Sequence, residues 1–160
     1  MVDLRKCLES LGYTNVKTLL NSGNVVFSAP AAAVAKAAAR IEKAVEAELG
    51  VKSRVTVLTG AEVEAIVSGN PLGKVADNPS RFLITVLSDP ADRSRLKPFL
   101  GRAWSPDALA VGKRVAYCWC PAGVLESPLA IEVARLYKDA ATTRNWATVL
   151  KLHALLTDNS

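Results

Sequence analysis

The chain of 160 residues contains one histidine, His153, and only three cysteines, Cys7, Cys118 and Cys120. A structural zinc site needs about four nitrogen or sulfur ligands at close spacing, which this inventory does not supply. Cys118 and Cys120 lie two residues apart, so in a strand they point in parallel and rarely bridge. The sequence therefore predicts no metal site, no disulfide framework and buried, unreactive thiols.

Long apolar runs are also missing. No stretch approaches the roughly 18 to 20 apolar residues that a membrane span needs. The alanine-rich stretch 29–47 is interrupted by five charged residues, and the first six residues lack the apolar core of a signal peptide. These absences predict a soluble, cytoplasmic protein with no membrane contact.

Catalytic motifs are absent as well. The chain has no nucleophile elbow, Walker loop, dinucleotide fingerprint or carboxylate–histidine constellation. Cys7 has no nearby histidine that could serve as its base. The sequence predicts no catalytic residue and no cofactor, although residues that are distant in sequence could still converge in an enzyme.

Acidic residues are scarce in one segment. The chain has 20 basic and 15 acidic residues, for a net charge of +5. Between positions 93 and 114 the only acid is Asp107, and this segment accounts for the whole net charge. Its basic residues are Arg93, Arg95, Lys97, Arg102, Lys113 and Arg114. Such a basic segment attracts anions, nucleic acid included, unless its charges are simply solvated.

Helix and strand patterns alternate along the chain. Apolar spacing, caps and turns predict helices over 2–11, 31–49, 59–67, 89–100, 127–138 and 144–156. They predict strands over 16–21, 25–27, 51–58, 81–88, 107–111 and 114–120. Strand 81–88 is apolar on both faces, which predicts a central position in its sheet.

This element order predicts an α+β fold of two ferredoxin-like (βαββαβ-type) halves with mainly antiparallel sheets. The first half would span residues 1–70 and lack its opening strand. The second half would span residues 71–160, lack its closing strand and end in the C-terminal helix.

Segments near both ends resemble a known family. Residues 1–12 followed by NSGNVVF (21–27), and TTRNW (142–146) followed by TVLKL (148–152), are similar to the uncharacterised bacterial family called domain of unknown function 1697. The resemblance implies tandem ferredoxin-like halves and a bacterial cytoplasmic origin, and it implies no activity. Members usually begin with an apolar strand and an arginine- and glycine-rich turn, which this sequence lacks before its first helix. Either the true start lies upstream of Met1, or the chain pairs across a homodimer.

The segment TTRNW is the first candidate site. If Thr142 and Thr143 cap the last helix, its N-terminus presents free N–H groups to an anion. Arg144 could then grip a phosphate or carboxylate, with Asn145 adding specificity beside Thr143 and Trp146. In the structural alternative, Trp146 anchors the helix and Arg144 pairs with an acid of the other half.

Two further features have a functional and a structural interpretation. Ser22 and Asn24 flank Gly23 and could contact a ligand, although a tight turn alone explains them. Tyr117 and Trp119 share one strand face, where exposed rings could stack nucleic-acid bases; core packing is the alternative.

The sequence thus predicts a binding module for an anionic small molecule or nucleic acid, with Arg144, Asn145 and the basic segment as its site. One alternative is an enzyme that holds a small phosphorylated or acidic substrate with the same residues. The other is a structural or oligomerising protein.

Overall fold

The computed structural model describes residues 2–19, 23–50, 52 and 54–158. The chain forms two compact units, residues 1–59 with 154–160, and residues 60–153. The fold is α+β, with mixed helices and antiparallel sheets, as predicted. The predicted ranges of the two halves, 1–70 and 71–160, stay a prediction.

The described residues of the first unit up to position 50 form two α-helices and one hairpin. Helix α1 (Val2–Ser10) leads into strands β1 (Thr14–Leu19) and β2 (Asn24–Ser28), which pair antiparallel. The 3₁₀ turn Ala31–Ala33 and helix α2 (Val34–Leu49) follow. The buried core of this unit consists of Cys7, Leu8, Tyr13, Val16, Ala37, Ile41 and Val45. The last three recur every four residues, which gives α2 one buried stripe.

The predicted strand over 51–58 is wrong for the part that the structure describes. Residues 52 and 54–59 form no strand. The backbone N–H of Val55 instead donates to Oε1 of Glu42 at 2.7 Å, and Val55 and Val57 pack against the first-unit core. The two valines of the alternating pattern therefore contact the core, but such packing on one side does not require a partner strand.

The second unit is built on a four-stranded sheet. Its helices and strands are α3 (Gly60–Ser68), β3 (Phe82–Leu87), α4 (Lys97–Leu100), β4 (Ala108–Val111), β5 (Val115–Trp119), α5 (Pro128–Tyr137), β6 (Ala141–Asn145) and the first turns of α6 (Trp146–Asp158). The strand order is β4-β5-β3-β6, and every pair is antiparallel. The predicted inner position of β3 is confirmed.

The predicted start of the last helix is wrong. Thr142 and Thr143 belong to β6, and α6 begins only at Trp146. Asn145 is the residue that caps α6, because its Oδ1 accepts from the backbone N–H of Thr148 at 3.0 Å. β-Branched threonines suit a strand, and pairing with β3 satisfies their backbone groups. The second unit therefore has the closing strand that the sequence prediction denied it.

Two other predicted helix starts are confirmed at their caps. Asp89 accepts from the N–H of Ala91 at 3.0 Å, and Ser127 Oγ accepts from that of Ala130 at 3.0 Å. The helix after Asp89 differs from the prediction, because Pro90–Leu96 is 3₁₀ and only Lys97–Leu100 is α-helical.

One core cluster of the second unit lies on one face of the sheet, beneath residues 90–100 and α5. It consists of Leu87, Leu96, Phe99, Ala116, Cys118, Cys120, Leu129, Val133 and Tyr137. No helix among the described residues is long and apolar enough to cross a membrane.

Candidate functional site

The predicted site residues 143–146 occupy a strand end and a helix start, where each makes a different contact. The Thr143 hydroxyl lies 3.1 Å from that of Thr85 across the β3–β6 pair. Arg144 follows on the opposite sheet face and donates from Nη1 to the Thr143 carbonyl at 2.9 Å. Burial lowers the pKa of the Arg144 guanidinium.

Asn145 and Trp146 make structural contacts. Asn145 caps α6, and the Trp146 ring lies 5.3 Å from that of Phe82. Since strand alternation sends neighbouring side chains to opposite faces, the structure does not bring Thr143 and Arg144 together around one small ligand. Their participation in binding stays a prediction.

Asn24 lies at the start of β2, opposite Leu19 of β1. Its side chain is buried, and Nδ2 donates to the Leu19 carbonyl at 3.4 Å, which ties the two strands together. Ser22, the other predicted contact of this turn, lies outside the described residues.

Arg114 of the basic segment fastens several elements of the second unit. Its Nε donates to the Leu87 carbonyl at 2.7 Å and its Nη2 to the Ser88 carbonyl at 3.0 Å. Its Nη1 lies 2.8 Å from Oε2 of Glu62 on α3. The Arg114 guanidinium therefore connects the end of β3 to α3.

Two more arginines of the segment lie against aromatic rings. Arg95 donates to the Leu136 carbonyl and stands 5.1 Å from the centre of the Tyr137 ring. Arg102 stands 4.9 Å from the Phe99 ring and 5.7 Å from the Trp104 ring. Arg95 and Arg102 are still exposed, as are Arg93, Lys97 and Lys113. Five of the six basic residues of the segment are thus candidates for anion contacts.

The strand face with Tyr117 and Trp119 is buried, which confirms core packing. The Tyr117 hydroxyl donates to the Ile66 carbonyl of α3 at 2.8 Å. These rings are not exposed as a stacking platform for bases.

The cysteines are buried and unpaired, as predicted. Burial raises the pKa of both Cys118 and Cys120, and the nearby Asp107 carboxylate raises both further, so their thiols stay protonated at neutral pH. Burial also raises the pKa of Cys7. Protonated, buried thiols are poor nucleophiles and poor metal ligands. Within the described ranges, no group of three or more histidine, cysteine or acidic side chains could hold a metal ion.

Sequence reasoning missed a groove at Arg81. It has a volume of about 390 Å³ and lies between the 3₁₀ turn Pro79–Arg81 and the loop 121–126. Its lining consists of Ser80, Arg81, Ala122, Gly123, Val124, Leu125 and Glu126. Arg81 Nη1 donates to the Pro121 carbonyl at 2.6 Å, and its own carbonyl accepts from the N–H of Cys120 at 2.9 Å. Among the described residues its other guanidinium nitrogens have no partner, and the side chain is exposed.

A second groove of about 300 Å³ adjoins the first along β3 and α5. Its lining consists of Leu83, Thr85, Cys118, Val124, Leu125, Ala130, Ile131, Val133, Ala134 and Thr143. Val124 and Leu125 line both grooves. One sequence signal could have indicated these grooves, because the apolar pair Val124-Leu125 lies in a loop without a helix or strand pattern. In the structure, Leu125 is 90% exposed.

The sheet topology defines an α+β protein whose second unit carries two surface grooves. The family model described as "Protein of unknown function (DUF1697)" matches residues 1–117, and the chain belongs to this family. That match ends before the TTRNW segment.

A solved structure shows the same fold. The chain is similar to "conserved bacterial protein SP0830 from Streptococcus pneumoniae", with a TM-score of 0.70 and 19% sequence identity. The similarity covers 98% of this chain and 88% of the other. At this identity the likeness concerns the fold alone. No curated protein sequence matches this chain.

Proposed function

We propose that this protein is a binding module for an anionic small molecule, which it holds at Arg81 in the groove of the second unit. The anchored guanidinium is the observation that carries this proposal. One nitrogen donates to the Pro121 carbonyl, which restrains the side chain and leaves its other N–H groups without a partner among the described residues. A guanidinium held in place loses little conformational freedom when it binds a carboxylate or phosphate through two hydrogen bonds.

The lining of the groove favours a ligand with one negative charge. Glu126 lines the same groove as Arg81 and is exposed. A carboxylate there repels a second negative charge on the ligand, since like charges at short range oppose binding. We therefore expect a monocarboxylate to bind more tightly than a phosphate dianion.

Titrations followed by NMR chemical shifts would test this site with butanoate, inorganic phosphate and pyrophosphate as probes. We expect saturable shifts around residues 80–81 and 122–126, lost in Arg81→Gln. Arg93→Gln is the matched control, because Arg93 is exposed and lines neither groove. Equal losses in the two variants would mean unspecific attraction to positive charge, and the site would be rejected. The same titrations of Arg144→Gln test whether the site predicted from the sequence contributes to binding.

Nucleic acid is a second candidate ligand, supported by the exposed cations Arg93, Lys97 and Lys113. The acids Asp89 and Asp92 precede them in the chain and reduce the local positive charge. If these cations contact phosphates, oligonucleotide affinity should fall steeply with salt, and substituting all three by glutamine should flatten that dependence. If oligonucleotide affinity changed neither with salt concentration nor with these substitutions, nucleic acid would be excluded as a ligand of these residues.

We also propose that the second unit is ferredoxin-like. Its element order from β3 to β6 is strand, helical segment, two strands, helix, strand, and its sheet order is β4-β5-β3-β6. This arrangement is that of a split βαβ fold. The first unit, with its helix, hairpin and second helix, would be the half without an opening strand. A cytoplasmic location is a further proposal, supported by three unpaired cysteines.

A further inference from the structure

We infer that the ligand held at Arg81 is a monocarboxylate with an apolar chain, whose tail lies along β3 in the second groove. This inference rests on the proposed function and adds the chemical class of the ligand. Leu83 and Thr85 alternate along β3, so their side chains stand on one face of the sheet, and Arg81 precedes them at the end of the 3₁₀ turn. At about 3.3 Å per residue, the four steps from Arg81 to Thr85 span at most about 13 Å, which is the reach that a ligand needs.

The two grooves are neighbours, because Val124 and Leu125 line both of them. Arg81 lines only the first, and the β3 side chains Leu83 and Thr85 line only the second. A head group at Arg81 would therefore direct its tail past Val124 and Leu125 into the second groove.

The second groove has few polar groups. The hydroxyls of Thr85 and Thr143 lie 3.1 Å apart, so one of them donates to the other. Cys118 is a buried thiol that stays protonated, since burial raises its pKa. A methylene chain would lose no hydrogen bond on entering this groove. A peptide or sugar would bury polar groups without partners, which is unfavourable.

The apolar rim of the groove offers surface for such a tail to cover. Leu125 is 90% exposed and Ile131 is 39% exposed. Exposed apolar side chains grouped at a groove are typical of binding sites. Covering them removes apolar area from water, and each added methylene of the ligand should increase affinity by about two- to fourfold.

The test is isothermal titration calorimetry of the full chain with butanoate, hexanoate, octanoate and decanoate, each kept below its micelle concentration, and with 1-octanol. We expect affinity to rise with chain length by about two- to fourfold per methylene in the wild type. Octanoate should bind at least about tenfold more tightly than 1-octanol, because only the acid engages Arg81.

Two variants separate the head from the tail. Arg81→Gln should weaken every acid by a similar factor and keep the dependence on chain length. Ala134→Trp fills the second groove from an exposed helix position and should abolish that dependence while butanoate still binds. Arg135→Trp is the matched control, since Arg135 is exposed on the same helix and lines neither groove. Ile131→Gln is a second tail variant, and thermal melts check that every variant is folded.

The outcomes distinguish the two proposals. If butanoate binds at Arg81 and affinity does not grow with chain length, the inference is overturned and the proposed function stands. If 1-octanol binds as tightly as octanoate and Arg81→Gln changes nothing, the groove is purely apolar and both the proposed site and this inference fail. Binding of none of the acids to the wild type would overturn this inference, and the proposed function would stand only if phosphate or pyrophosphate still bound at Arg81.

Discussion

Nη1 of Arg114 lies 2.8 Å from Oε2 of Glu62, and this ion pair connects the β4–β5 hairpin to α3. The same guanidinium donates to the carbonyls of Leu87 and Ser88 at the end of β3. Half-buried cations of this kind are anchored from several sides, and truncating one removes a donor from each of its acceptors.

We expect Arg114→Met to reduce the free energy of unfolding by about 2 to 4 kcal/mol, because it removes three hydrogen bonds and leaves Glu62 without this partner. Urea unfolding at neutral pH measures the effect. Lys113→Met, at the exposed neighbouring position, should change stability by no more than about 0.5 kcal/mol. A similarly small effect of Arg114→Met would show that the hydrogen bonds of the Arg114 guanidinium contribute nothing to stability.

Tyr13 and Tyr117 form a natural comparison. Tyr13 is 4% exposed, and among the described residues its hydroxyl has no hydrogen-bond partner. The Tyr117 hydroxyl donates to the Ile66 carbonyl at 2.8 Å. Tyr13→Phe should be neutral or stabilise by about 1 kcal/mol, whereas Tyr117→Phe should destabilise by about 1 kcal/mol or more. Chemical denaturation of both variants checks the difference, and a loss of stability in Tyr13→Phe would contradict it.

Substitutions of Asn145 can distinguish a helix-capping role from a ligand contact. Asn145→Ala should lower stability by about 1 kcal/mol, because the first turn of α6 loses the acceptor for the Thr148 N–H. Asn145→Asp should retain stability, since aspartate caps as well and favours the positive end of the helix dipole. If alanine left the free energy of unfolding unchanged but weakened ligand binding, the residue would act in recognition, as its sequence context predicted.

Alkaline pH should destabilise the second unit. The pKa values of Cys118 and Cys120 are raised in the folded protein above their ordinary value of 9.0. Above about pH 9 the unfolded chain loses these protons while the folded chain keeps them, so stability is full below this pH and falls above it. Burial raises the pKa of Tyr117 and Tyr137 as well, which acts in the same direction.

Urea unfolding between pH 7 and pH 10 measures how the free energy of unfolding falls with pH. The double variant Cys118→Ala with Cys120→Ala should show a shallower fall. Iodoacetamide should label both thiols in the native protein only as fast as the unit opens. Rapid labelling at neutral pH would show that these thiols are ionised and accessible.

The features that the sequence predicted correctly are those set within a few neighbouring residues. The caps at Asp89 and Ser127 are local contacts, and the two-faced apolar pattern of 81–88 follows from burial on both sides of an inner strand. Family membership was likewise readable from short segments. These signals need no knowledge of distant partners.

The errors arose where a distant partner decides the structure. Thr142 and Thr143 suit a helix cap as well as a strand, and it is pairing with Val86 and Thr85, more than fifty residues earlier, that makes them a strand. Residues 54–58 alternate as a strand would, yet Val55 bonds to a side chain of α2. The Arg81 groove escaped prediction for the same reason, because its two walls are about forty residues apart in sequence.

The main chain and the side chain of Arg81 make separate contributions to the structure. The backbone carbonyl bonds to Cys120 and continues the sheet, while the guanidinium stands at the mouth of a groove. The side chain can therefore be exchanged without breaking a backbone bond of the sheet. Substitutions at position 81 can thus change the chemistry of this surface on a scaffold that keeps its architecture.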